Sequence, residues 1–157
     1  FKDYLFLNEK YGDYGIAFDL TITTPGLFSL KALFDLAVEF NVNTLIKTTF
    51  AFDSSIMMCP QVLPRELYDE IIDDLLEYIR PRIVDNPKHF NWIECLQDLK
   101  QRKVFSEQYP DWKEGLKRGK KNLLKVDKWR KQENVLNNIY KQHNTKVYDW
   151  WTKNHII

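Results

Sequence analysis

Near the start of this 157-residue chain a strand, a helix and a second strand follow one another within about forty residues, and that order leaves few folds open. From Gly15 to Thr24 the side chains alternate. Ile16, Phe18, Leu20 and Ile22 share one face; Ala17, Asp19, Thr21 and Thr23 share the other. A period of two in β-branched and aromatic residues predicts a strand, which Pro25-Gly26 ends. Past Ser29, a residue type suited to a helix N-cap, Leu30, Leu33, Phe34, Ala37 and Phe40 recur at helical spacing as far as Asn41. A second alternating run covers Asn43 to Phe52, with Ile46, Thr48, Phe50 and Phe52 on one face and Leu45, Lys47, Thr49 and Ala51 on the other. A helical crossover between two strands predicts parallel pairing.

Two strands do not make a stable sheet alone. A further strand near Tyr4–Leu7 would help; otherwise the sheet is completed by another chain or by sequence outside this one. Phe1 is no initiator methionine and structured-looking sequence begins at once, so a fragment is the expectation. Downstream, Pro64 is placed to open a helix. Leu67, Ile71, Ile72, Leu75, Leu76 and Ile79 form its apolar stripe, Asp69, Glu70, Asp73, Asp74 and Glu77 lie opposite, and Pro81 is expected to stop it. Phe90, Ile93, Leu96, Leu99 and Val104 predict another helix ending before Pro110. The remainder reads as helical and basic, punctuated by Gly115 and Gly119 and closing on Tyr148, Trp150 and Trp151. The expected fold class is α/β. Residues 1–83 form two βα units of a partial parallel barrel or open sheet, and 84–157 a basic helical C-terminal extension packed on it as a single compact unit.

Several chemistries lack their residues. Zinc or an iron–sulfur cluster needs closely spaced thiols or imidazoles. Cys59 and Cys95 are far apart, and His89, His143 and His155 are scattered, so no metal site is expected. Thr24-Pro25-Gly26 leads from strand to helix with one glycine, too few for a phosphate cradle. No nucleophile elbow surrounds Ser29, Ser54 or Cys59. Two lone thiols suit a reducing, cytoplasmic location, and no apolar run approaches the roughly 18 residues of a membrane span.

Two constellations remain. On neighbouring parallel strands Thr21, Thr23, Lys47 and Thr49, together with Asp19 and Asp53, would point one way. Buried parallel strands are normally apolar on both faces, so these groups suggest a wetted, ligand-filled interior; the competing reading is a strand half exposed to solvent. The second constellation is electrostatic. Residues 1–99 carry 8 Lys/Arg against 16 Asp/Glu, a net of −8, and residues 100–157 carry 15 against 6, a net of +9. Lys113, Lys117, Arg118, Lys120, Lys121, Lys125, Lys128, Arg130 and Lys131 interleave with Trp112 and Trp129. Lysines interleaved with stacking aromatics suit nucleic acid, and the alternative reading of the chain is a small nucleic-acid-binding or protein-interaction module that uses this basic helical tail. A solvated face with tryptophans packed inward is the favoured reading, and nucleic acid is not the expected partner. Asp127 and Arg130 share a helix face and are expected to form a semi-buried ion pair.

The run from Ile16 to Pro25, the helix from Leu30 to Phe40, the second strand, and then Met58-Cys59-Pro60-Gln61-Val62-Leu63-Pro64 opening a long helix resemble the last barrel units of twitch-type radical SAM proteins. Val126-Asp127-Lys128-Trp129-Arg130 and Tyr148-Asp149-Trp150-Trp151 are similar to the tail of the same proteins. The resemblance covers most of residues 15–151. It implies the C-terminal portion of an enzyme whose three-cysteine motif holds a [4Fe–4S] cluster that cleaves S-adenosylmethionine. No such motif occurs here, so the resemblance places it in a missing N-terminal barrel half. It sets Thr21, Thr23, Lys47 and Thr49 near the cofactor and substrate cavity, and leaves this chain without independent catalysis. The expected partner is that missing half or a second copy of the chain in a homodimer.

Overall fold

The computed structural model describes Phe6 and residues 17–48, 53–132 and 134–153. Strands β1 (Ala17–Ile22) and β2 (Asn43–Thr48) pair in parallel, in register from Ala17 opposite Asn43 to Ile22 opposite Thr48. Helix α1 (Leu30–Glu39) connects them. Of the proposed strand near Tyr4–Leu7 only Phe6 is described, and it is helical rather than extended; the far end of the second strand, Thr49 to Phe52, lies outside the described residues. The alternation in sequence becomes an alternation in burial. Phe18, Leu20, Ile22 and Ile46 turn to the core, while Ala17, Asp19, Thr21, Asn43, Leu45 and Lys47 are exposed.

The strand ends where a hydroxyl takes over. Thr23 Oγ1 accepts the Gly26 N–H at 3.1 Å, and the chain turns through a 3-10 segment, Pro25–Ser29. A Cβ on Gly26 would stand 2.8 Å from that same oxygen, so a larger residue here would displace the Thr23 hydroxyl from the turn. Ser29 has helical geometry and no side-chain cap, because α1 grows directly out of the 3-10 turn and the Leu30 N–H already has the Leu27 carbonyl. At its other end Asn41 adopts φ 51°, the Asn41 N–H reaches Val38 O (3.1 Å) and the Val42 N–H reaches Ala37 O (2.9 Å). That is a Schellman stop, with asparagine tolerating the left-handed position.

Helix α2 (Arg65–Ile83) follows Pro64, which stands at its N-cap and not inside it. It does not stop at Pro81 but runs through it for two more residues. Proline there removes the bond to the Glu77 carbonyl, a loss that an exposed last turn tolerates. Helix α3 (Asn91–Gln101) begins after a 3-10 turn, Pro87–His89, and leaves Phe90 52% exposed at its cap. Val104 belongs to no continuation of α3: Arg102 is extended (ψ 142°), and a short α4 (Phe105–Gln108) starts anew. The basic region forms three helices, α5 (Trp112–Trp129), α6 (Val135–His143) and α7 (Thr145–Lys153). The fold is thus a mostly helical α/β arrangement around a small parallel sheet.

One cluster of buried residues runs from Ile22 to Trp151 and takes in every helix of the second half. Helix α2 gives it seven residues, from Tyr68 to Ile83, since its 19 residues carry a wide apolar stripe. Edge-to-face pairs, Phe34 with Trp92 (5.4 Å) and Tyr140 with Trp151 (5.5 Å), fill the wider gaps. Helix α3 lies along β2, where Asn91 donates to the Thr44 carbonyl and Arg102 Nη1 to Thr48 Oγ1 at 2.7 Å.

Candidate functional site

The outer face of the β1–β2 pair carries the polar groups that the alternation singled out. Thr21 stands opposite Lys47, and Asp19 opposite Leu45. Lys47 Nζ reaches diagonally to the Asp19 carboxylate at 2.8 Å, with both side chains more than half exposed. At such exposure the pair contributes about 0–1 kcal/mol to stability. Leu45, 60% exposed in mid-strand, adds an apolar spot to this face. Thr23 lies past the strand end, half-buried, and its hydroxyl belongs to the turn at Gly26. Thr49 is outside the described residues. The structure therefore brings together Thr21 and Lys47 and gives Thr23 a local task.

A cavity of about 220 Å³ opens on another side, between the Pro25–Ser29 turn, α1, α2 and the end of α6. Leu27, Ile71 and Leu75 line it, and Lys31 and Asp74, paired at 2.7 Å, stand at its polar side. His143 stacks on Phe28 with ring centres 6.1 Å apart. Its small size and its internally neutralised ion pair suit a minor packing gap better than a reaction chamber.

Asp127 and Arg130 are not partners. Asp127 is buried, and its carboxylate accepts the Val135 N–H (3.2 Å) at the start of α6, while its carbonyl accepts the Gln132 N–H (2.9 Å). Arg130 ends α5 exposed, and no ion pair joins the two among the described residues. Arg130 still makes the helical N–H bond to Val126 O (3.0 Å), but the Asp127 carboxylate is buried and taken by the start of α6. Trp129 also departs from expectation: it is 84% exposed, whereas Trp151 is buried and Trp112 half-buried.

Three groups carried no sequence signal. The Arg65 guanidinium holds Glu107 through two bonds of 2.9 and 2.8 Å, Asp69 at 3.2 Å and the Arg102 carbonyl at 2.9 Å. The bond to Glu107 raises the pKa of Arg65, and the same bond lowers that of Glu107. Lys120 turns inward on α5, donates to the Trp151 carbonyl at 2.6 Å and lies 4.0 Å above the Trp151 ring; burial lowers its pKa to about 8. His89 is fully buried against Phe34 with both ring nitrogens lacking hydrogen-bond partners, and burial, then Lys88, lowers its pKa. Only the fold brings these neighbours together, across 42 residues in the case of Arg65 and Glu107.

The thiols do not fit the cluster that the family resemblance implies. Cys59 is fully buried and its Sγ donates to Gln61 Oε1 at 2.8 Å; Cys95 is half-buried, its pKa raised by burial and then by Asp98. Among the described residues no three of His, Cys, Asp and Glu are grouped to hold a metal ion. No helix among them is long and apolar enough to cross a membrane. No protein-family model, curated protein or solved structure matches the chain.

Proposed function

We propose that this chain is the C-terminal part of a radical SAM-like enzyme, its two βα units forming one arc of a partial barrel and its helical extension closing the cavity. The one-sidedness of the β1–β2 pair carries this reading. In a parallel barrel the helices lie outside and the strands turn their other face to the interior. Here one strand face joins the helical core, and the other, with Asp19, Thr21, Leu45 and Lys47, is bare. A filled interior would cover Leu45 and give the Lys47–Asp19 pair a ligand to orient. The [4Fe–4S] cluster and the cleavage of S-adenosylmethionine belong to another part of the enzyme, because the thiols here do not fit a cluster. This chain supplies walls.

The test starts from the reading frame upstream of Phe1, which should encode Cys-x-x-x-Cys-x-x-Cys. The polypeptide running from that motif through Ile157, purified without oxygen, should be brown and, given dithionite as the electron donor, should reductively cleave S-adenosylmethionine to methionine and 5′-deoxyadenosine. Lys47→Ala should then raise KM with cluster content unchanged. A frame without the three cysteines, or a colourless polypeptide, overturns the reading.

A further inference from the structure

Four of the six carboxylates of α2 are paired within the fold, whereas the lysines along the outer side of α5 are not. On α2, Asp69 pairs with Arg65, Glu70 with Lys146, Asp73 with Lys100 and Asp74 with Lys31. None of these cations comes from α5. Lys117, Lys121, Lys125 and Lys128 take part in no ion pair among the described residues, and all are exposed. With Lys113 they recur at four- and three-residue spacing, which stacks them along one side of a helix over a length of about 22 Å. Glu114 is the one acidic residue on the exposed side of α5, since Asp127 is buried.

The stripe ends at Trp129, 84% exposed at the last position of α5. An indole left in water is an unpartnered flat ring, and it stands one turn beyond Lys125. We propose that this outer face of α5, from Lys113 to Trp129, binds single-stranded nucleic acid, the lysines lying along phosphates and Trp129 stacking on a base. A basic groove or stripe combined with a stacking aromatic is the common arrangement for binding single strands without sequence preference. A membrane surface fits less well. An interfacial helix needs a continuous apolar face, and the apolar face of α5 is turned inward through Leu116 and Leu123. Only Leu124 and Trp129 are exposed apolar residues here, and six lysine and arginine residues separate or flank them. Lys120 takes no part, because its ammonium is committed to Trp151.

Fluorescence anisotropy of the full chain with labelled oligouridylate and oligothymidylate of about 15 nucleotides tests this. Binding should fall steeply between about 50 and 200 mM salt, and Lys121→Ala with Lys125→Ala should reduce the slope of log affinity against log salt by about 1.4. Trp129→Ala should weaken binding on the order of tenfold and leave that slope unchanged. All three positions are exposed, so thermal melts of the variants should match the parent. The two oligonucleotides distinguish RNA from DNA as the source. The proposal is overturned by absence of binding at low salt, by an unaltered affinity of Trp129→Ala, or by tighter binding to phosphatidylserine vesicles or polyglutamate than to either oligonucleotide.

Discussion

Arg65 stands in the first turn of α2 and ties it to two later pieces of chain, Glu107 of α4 and the carbonyl of Arg102 after α3. Its forked contact with Glu107 is a geometry that lysine cannot copy. Arg65→Met should cost about 2 kcal/mol, and Arg65→Lys should restore less than half of that. Urea titration checks both, and equal stability of the two variants would refute the forked role. Lys120 makes a different test. Its folded pKa of about 8 lies below the ordinary 10.5. Between those values the unfolded chain holds a proton that the folded chain has released, so stability rises with pH across that window. Below it, folding must bury the ammonium. Wild type should therefore gain on Lys120→Met as pH goes from about 7.5 to about 10; a difference flat with pH would refute it. In sequence Lys120 and Lys121 are neighbours of one kind. Helical geometry sets them about 100° apart, and only the position of Trp151 decides which is buried.

At the scale of elements, the clearest signals were those with a local cause. The stripe from Leu67 to Ile79 is α2, and Asn41 closes α1 because asparagine accepts a positive φ. Pro81 was misleading for an equally local reason. Proline lacks one N–H and crowds one carbonyl, but a helix with Ile79 and Ile83 both buried gains more by continuing one turn than that costs. Pro81→Ala should accordingly stabilise the chain, by about 1–2 kcal/mol after the lower entropy of the unfolded proline chain is discounted. A lower melting temperature in the variant would show that the proline is needed for the exit toward Pro87. The Asp127 pairing fails because its carboxylate is taken by the Val135 N–H, across a helix boundary. Residues 126 to 136 read as one helical run, and the left-handed turns at Lys131 and Asn134 break it. Lys131 gives no sign of this, whereas Asn134 is, like Asn41, a residue type that accepts a positive φ.

For the whole molecule, the parallel pair was legible because its period, its turn and its crossover are all written within residues 15–48. What covers it was not, since α3 reaches β2 from about fifty residues away, through Asn91 and Arg102. The candidate site was legible by half: the alternation gave Thr21 and Lys47 their shared face, but nothing in the pattern showed that Thr23 would be taken by the turn. A bare sheet face with Leu45 at its middle invites a second copy. The isolated chain should sediment at micromolar concentration as a dimer, and Leu45→Lys should return it to 18.9 kDa; a wild-type monomer would refute this. The uneven pairing of charge has a practical consequence as well. With a net charge of +1 and an isoelectric point near 7.9, the chain ought to pass through a cation-exchange column at pH 8 almost unretarded. A column reads the surface and not the sum. With four carboxylates of α2 already paired to Arg65 and to lysines of α1, α3 and α7, the resin meets α5, and the protein should elute late, at a salt concentration suited to a far more basic molecule, with Lys121→Glu and Lys125→Glu moving it sharply forward.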